Sequence, residues 1–199
     1  VKWDYVIFQN SLENEGRYET ARPYLDSLVS FVLKTQKERY GSEPAVGWNM
    51  FWPISRLRED GSNNLCTYRL SFYGNSSDQM WAAYMQATKK LVEETGVDLI
   101  IPTGTAVMNA RATSLNDADA RDFTRDGYHL SYDRGRYIAA CAVFETLVAP
   151  VAGKSVLGNP YRPKINDRPE MTGHEALVFQ RCAVAAVEKP YEVESVSEK

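Results

Sequence analysis

Three short apolar runs rich in β-branched and aromatic residues are spaced along the chain. Trp3-Asp4-Tyr5-Val6-Ile7-Phe8-Gln9, residues 45–52 and Val97-Asp98-Leu99-Ile100-Ile101-Pro102 each predict a buried strand. Helical periodicity fills the intervals. After Pro23, which suits the first turn of a helix, Leu25, Leu28, Val29, Val32 and Leu33 recur at helical spacing, and Gly41-Ser42-Glu43-Pro44 stops the stripe. Met80, Tyr84, Ala87, Leu91 and Val92 form a second stripe that ends at Gly96. Residues 134–147 are apolar enough for a well-buried helix. A last helix is expected over 175–187, with Leu177, Val178, Cys182, Val184 and Ala185 among its apolar positions. Residues 66–72 alternate as a strand would. Residues 10–18, 56–64 and 111–124 read as polar loops, 163–169 as a linker and 189–199 as a solvated tail after one domain over 1–188.

Strand and helix in alternation predict an α/β fold with a parallel sheet. In such sheets ligands bind at the carboxyl ends of the strands. That rule points to Gln9-Asn10-Ser11, to residues 49–54 and to residues 103–109. Composition narrows the partners. The 199 residues carry 23 Lys+Arg against 26 Asp+Glu, a net charge of −3, which argues against nucleic acid. No uninterrupted apolar run approaches the roughly 20 residues of a bilayer span, so no membrane span is expected. The chain opens on Val1-Lys2-Trp3-Asp4, neither a signal peptide nor a starting Met, and is expected to begin inside a longer gene product. Cys66, Cys141 and Cys182 are too scattered for a disulfide scaffold. The two histidines, His129 and His174, lack ligand-spaced partners, so no metal is expected.

The densest candidate chemistry lies at Asp122-Phe123-Thr124-Arg125-Asp126-Gly127-Tyr128-His129-Leu130. An Asp three residues ahead of a His can turn back, accept a hydrogen bond from the imidazole and fix its tautomer. A histidine held so is a general base for a serine hydroxyl. Taken alone, the spacing fits a capping Asp beside a surface His at least as well.

Several blocks together resemble the SGNH (GDSL-type) hydrolase superfamily, in particular a poorly characterised bacterial branch of it. They are Trp3 to Gln9, Ile101-Pro102-Thr103-Gly104-Thr105-Ala106, Asp122 to Leu130 and Gly135-Arg136-Tyr137, and the similarity runs to about Val187. The resemblance implies a flavodoxin-like three-layer α/β/α sandwich and a Ser-His-Asp triad with His129 as base and Asp126 as its partner. It aligns the strand ending at Gln9 with the family's third. The first two strands and the nucleophile block would then lie outside this chain, and the missing N-terminal segment becomes its expected partner. Gln9 or Asn10 would stand where the family places an oxyanion-binding amide; the alternative is a local strand-end turn.

Within the chain, Ser76 in Tyr73-Gly74-Asn75-Ser76-Ser77 is the one nucleophile candidate at a strand-to-helix turn, and an N-cap role explains it better. Trp48, Phe51 and Trp52 can form a sugar-stacking wall or simply pack. Arg111 and Arg125 could neutralise an acidic substrate, but pairing with Asp119 and Asp122 is the expected role, and His174 is expected to lie on the surface. The expected function is acyl-ester hydrolysis without a cofactor, small acyl groups on carbohydrate being the first substrate class to test. A non-catalytic glycan- or partner-binding module is the alternative. A bacterial, periplasmic or secreted setting is compatible, and the residues do not choose among compartments.

Overall fold

The computed structural model describes residues 1–55, 67–116, 122–165 and 169–199. Tyr5–Phe8 (β1), Ala45–Asn49 (β2) and Leu99–Ile101 (β3) form a parallel sheet in the order β1-β2-β3. Register is set by Tyr5 opposite Ala45 and by Gly47 opposite Leu99. The helices are α1 (Tyr18–Ala21), α2 (Tyr24–Tyr40), α3 (Thr67–Leu70), α4 (Ser77–Glu94), α5 (Thr103–Arg111), α6 (Arg134–Val143), α7 (Ala149–Ala152) and α8 (Gly173–Glu188). The α/β class with a parallel sheet is therefore as the periodicity predicts.

Two apolar clusters hold the chain together. The first joins Leu25 and Val29 of α2, Val46 and Trp48 of β2, and Met80, Tyr84 and Leu91 of α4. The second joins Ala106 and Val107 of α5, Ile138 and Cys141 of α6, and Val178, Phe179 and Cys182 of α8. Trp52 packs against both, so the segment leaving β2 bridges the two halves of the core.

Three expectations are corrected, and one range gains an element. Residues 103–109, to which the strand-end rule points, form helix α5, which starts one residue after Pro102. Its Thr and Gly residues and its burial on nearly every side leave no amphipathic stripe to read. The alternating stretch before Ser76 is not a strand: the described part is α3 followed by a 3-10 turn at Ser71–Tyr73. The helix expected over 134–147 runs on through a π-turn at Phe144–Val148 into α7. By length and composition Arg134–Ala152 could cross a membrane; its first half carries the buried Tyr137, Ile138, Cys141 and Ala142, while no residue of 144–152 is buried. The C-terminal residues, expected to be a solvated tail, are partly docked on α5: the Thr105 hydroxyl donates to the Pro190 carbonyl and Glu194 N donates to Asn109 Oδ1 at 2.7 Å. The excursion at 56–64, Cys66 and Asp119 lie outside the described residues.

Candidate active site

Residues 122–131 form a closed turn that brings Asp126 to His129. Thr124 and Leu130 make an isolated antiparallel bridge, Arg125 N donates to His129 O at 2.8 Å and Ser131 N to Phe123 O at 2.8 Å. Asp122 and Phe123 both take left-handed backbone conformations, φ 45° and 60°. Such conformations are costly for non-glycine residues and gather where a site imposes them. Gly135, at the start of α6, lets the turn sit close: a Cβ there would lie 2.2 Å from the Phe123 carbonyl oxygen.

Asp126 uses both carboxylate oxygens. Oδ1 accepts from the amides of Tyr128 at 3.0 Å and His129 at 2.7 Å, and Oδ2 meets His129 Nδ1 at 2.6 Å. Partial burial works against its ionisation. The imidazole and the two amides outweigh that and hold the carboxyl below its ordinary value. An ionised carboxylate only accepts, so Nδ1 carries the proton and Nε2 is the ring's acceptor. The His129 side chain is 49% exposed and the Asp126 side chain 24%, which leaves the ring open to an approaching group.

The turn is mounted on the chain leaving the carboxyl end of β2. Trp52 Nε1 donates to Tyr128 O at 2.7 Å, and Ser55 N donates to Gly127 O at 2.9 Å. The Phe51 ring stacks near the Tyr128 ring, 6.3 Å between centroids and 17° between planes, and the Tyr128 and His129 rings are 4.2 Å apart. Gly104 permits this seat, because a Cβ on α5 there would lie 2.0 Å from the Phe51 carbonyl oxygen.

A chain of polar contacts crosses the carboxyl ends of all three strands. Thr103 Oγ1 donates to Asn49 Oδ1 at 2.6 Å, and Asn49 Nδ2 donates to Gln9 Oε1 at 2.5 Å. With Gln9 Oε1 engaged, its Nε2 group is the end that can donate outward. Gln9 and Asn10 line a cleft of about 160 Å³ together with Phe8, Tyr24, Leu28 and Trp48. Asn10 is a different case. Its amide nitrogen donates to Asn14 O at 3.1 Å and Thr20 Oγ1 at 3.3 Å, and its Oδ1 accepts from Ser11 N at 2.8 Å. Its side chain is spent on the loop, so the local-turn reading holds for Asn10.

Ser76 is the N-cap of α4: its Oγ accepts from Gln79 N at 3.3 Å, with extended backbone at φ −125°. Among the described residues no hydrogen bond joins Ser76 to His129. Of the two readings of the aromatics, packing holds for Trp48 and Phe51. Trp48 and Phe51 are buried, with the Trp48 indole bonded to Glu15, and Trp52 uses its indole nitrogen to hold the turn. Arg111 braces backbone, donating to the carbonyls of Pro53 at 2.9 Å and Asp122 at 3.2 Å. His174 is exposed at the start of α8. The strand-end rule reached Asn49 and Thr103 only as members of ranges, and Tyr128 stood in the candidate block without a role; sequence reasoning missed Glu15, which no local pattern marks.

Residues 1–178 match the family described as Domain of unknown function (DUF4886), and the chain belongs to it. It is similar to a solved protein described as "Crystal structure of a DUF4886 family protein from Bacteroides uniformis ATCC 8492 at 1.50 A resolution", at 29% identity and a TM-score of 0.79. The match covers 98% of this chain but 66% of that one, so this chain spans less than two thirds of its relative's length. No curated protein matches the chain significantly.

Proposed function

We propose that the chain supplies the acid–base half of an SGNH-like serine esterase, in a flavodoxin-like three-layer sandwich completed by polypeptide beyond these 199 residues. The observation that carries this reading is the 2.6 Å contact between His129 Nδ1 and Asp126 Oδ2, which leaves Nε2 as a base on the ligand-binding edge of the sheet.

Two observations support a completing segment. β1 ends the sheet. Beside it Trp3, Tyr5, Val6, Phe31 and Val32 line an open groove of about 410 Å³, with Trp3 54% and Phe31 67% exposed. An apolar edge strand of this kind suits pairing with a further strand. The relative from Bacteroides uniformis also has length to spare beyond the part matched here.

In this reading a serine Oγ from the completing segment attacks the ester carbonyl carbon and gives its proton to His129 Nε2. Asp126 stabilises the imidazolium through Nδ1–H. The Gln9 amide donates to the developing oxyanion. The carbonyl–oxygen bond to the alcohol breaks as Nε2 returns the proton to the leaving oxygen. Water then repeats the sequence on the acyl-enzyme and frees the acid. Acetyl esters of carbohydrates are the first substrates to test.

The test is turnover of such esters by the full-length protein and its His129→Ala variant. The reading expects a loss of about 10³-fold or more in the variant, the scale of losing a triad base. A folded full-length protein that binds glycans without hydrolysing esters, or whose turnover survives His129→Ala, overturns it.

A further inference from the structure

The loop after β1 carries a carboxyl that neither the His129–Asp126 pair nor the strand-end amides use. Glu15 is 3% exposed. Its Oε1 accepts from Trp48 Nε1 at 2.9 Å and from Phe51 N at 3.2 Å, so one oxygen holds both the end of β2 and the chain just beyond it. Its Oε2 is buried and has no hydrogen-bond partner among the described residues.

The loop around it is pinned from α4 and the preceding 3-10 turn. The Tyr84 hydroxyl donates to Leu12 O, and the Tyr73 hydroxyl donates to Glu13 O at 2.8 Å while accepting from Gly16 N at 3.2 Å. On the other side, the residues Glu15 holds are those that seat the candidate site. Phe51 lies against Tyr128, and the next residue, Trp52, bonds the Tyr128 carbonyl. Glu15 is thus the side chain through which the loop bearing Gln9 grips the seat of His129.

We propose that Glu15 is a positioning residue, which fixes the backbone at Phe51 and through it the placement of the Asp126–His129 turn relative to the loop after β1. The functional half of this inference rests on His129 being the working base, as proposed above; the structural half does not.

Chemistry gives the residue a signature. Burial pushes its carboxyl up to about 7, against the pull of the Trp48 indole and the Phe51 and Asn10 amides. The titratable side chains facing it are Tyr73, pushed up to about 12, and Tyr84, also raised, so both are neutral there. The nearby charges are spoken for: Glu13 meets Arg69 at 3.4 Å, and Arg17 lies over the Phe72 ring. Glu15 therefore holds its seat as a neutral acid and ionises close to neutral pH. Ionisation places a negative charge on the acceptor of the Trp48 indole N–H, so that group reads the change directly.

The test uses full-length protein with ¹⁵N-labelled tryptophan and histidine, the Trp48 indole assigned with Trp48→Phe. The Trp48 indole resonance should titrate with a midpoint near 7 in the wild type and stay flat in Glu15→Gln, which keeps the acceptor without the charge. Glu15→Ala should move the His129 ring resonances, and Glu15→Gln should restore them. If the esterase reading holds, Glu15→Ala should also lower kcat by roughly 10–100-fold with KM little changed, the scale of a small misplacement of a catalytic group. A Trp48 titration that persists in Glu15→Gln, or His129 resonances unmoved in folded Glu15→Ala, overturns the proposal. If Glu15→Ala does not fold, the Glu15→Gln titration decides alone. Absence of esterase activity with the resonances behaving as described would count against the proposed function and not against Glu15.

Discussion

Replacing Asp126 by Asn is the sharpest perturbation of the turn. The wild-type carboxylate accepts three hydrogen bonds, two from amides at 3.0 and 2.7 Å and one from the imidazole at 2.6 Å. An Asn keeps one oxygen for the amides and presents an NH₂ group to Nδ1. Two donors cannot face each other, so the ring must move its proton to Nε2 and accept at Nδ1. The base atom is then blocked, and turnover should fall about 10⁴-fold, as expected when the wrong tautomer is enforced. Stability should fall by less. A hydrogen bond to a charged group contributes about 1.5–3 kcal/mol when buried. The His129 side chain is 49% exposed, so about 1–2 kcal/mol is the reasonable loss here. Long-range ¹H–¹⁵N correlation of the histidine rings reads the tautomer directly, and with two histidines in the chain a His174→Asn control completes the assignment. The reasoning requires Nδ1–H in the wild type at neutral pH and Nε2–H in the variant. A wild-type ring protonated on Nε2 alone would refute it.

Other outcomes follow from the same contacts. Ser76→Ala should cost about 0.5–2 kcal/mol in urea unfolding, the range of an N-cap loss, and leave turnover unchanged; a large loss of turnover at full stability would make Ser76 the nucleophile. Glu15 binds its proton more tightly when folded, near 7 against an ordinary 4.5. Its contribution should therefore be complete below the unfolded value and fall by up to about 3 kcal/mol as pH rises through about 7, and a stability profile indifferent to Glu15→Gln across that window would contradict this. Gly104→Ala should destabilise and should shift the Tyr128 and His129 resonances, because its Cβ would stand 2.0 Å from the Phe51 carbonyl oxygen; normal resonances would show that α5 does not bear on the seat.

Much of this arrangement is legible along the chain, for stated reasons. β1 and α2 are read from local pattern: a β-branched run, then an apolar stripe ended by Gly41 in the left-handed conformation. The Asp126–His129 contact is legible because it is local, three residues apart and closed within one turn. What escaped depends on distant partners. Glu13 and Glu15 look alike in the sequence, yet one meets Arg69 on the surface of the loop and the other is buried against Trp48. Trp48, Phe51 and Trp52 stay open between a binding wall and packing because alternation does not say which face a partner will cover. The fold turned all three inward or onto the turn. The helix beginning at Thr103 is not legible at all, because a helix buried on nearly every side shows no polar stripe.

The central claim is that His129 serves a serine supplied from outside these residues. Full-length protein should be treated with a fluorophosphonate probe and the modified residue located by peptide mass spectrometry, alongside His129→Ala and the 199-residue chain with its folding checked by circular dichroism. The account predicts one labelled serine outside the 199 residues, labelling lost in His129→Ala, and no labelling of the shorter chain. Stoichiometric labelling of the folded 199-residue chain at Ser76 or Ser11, or labelling of full-length protein that persists without His129, would contradict it.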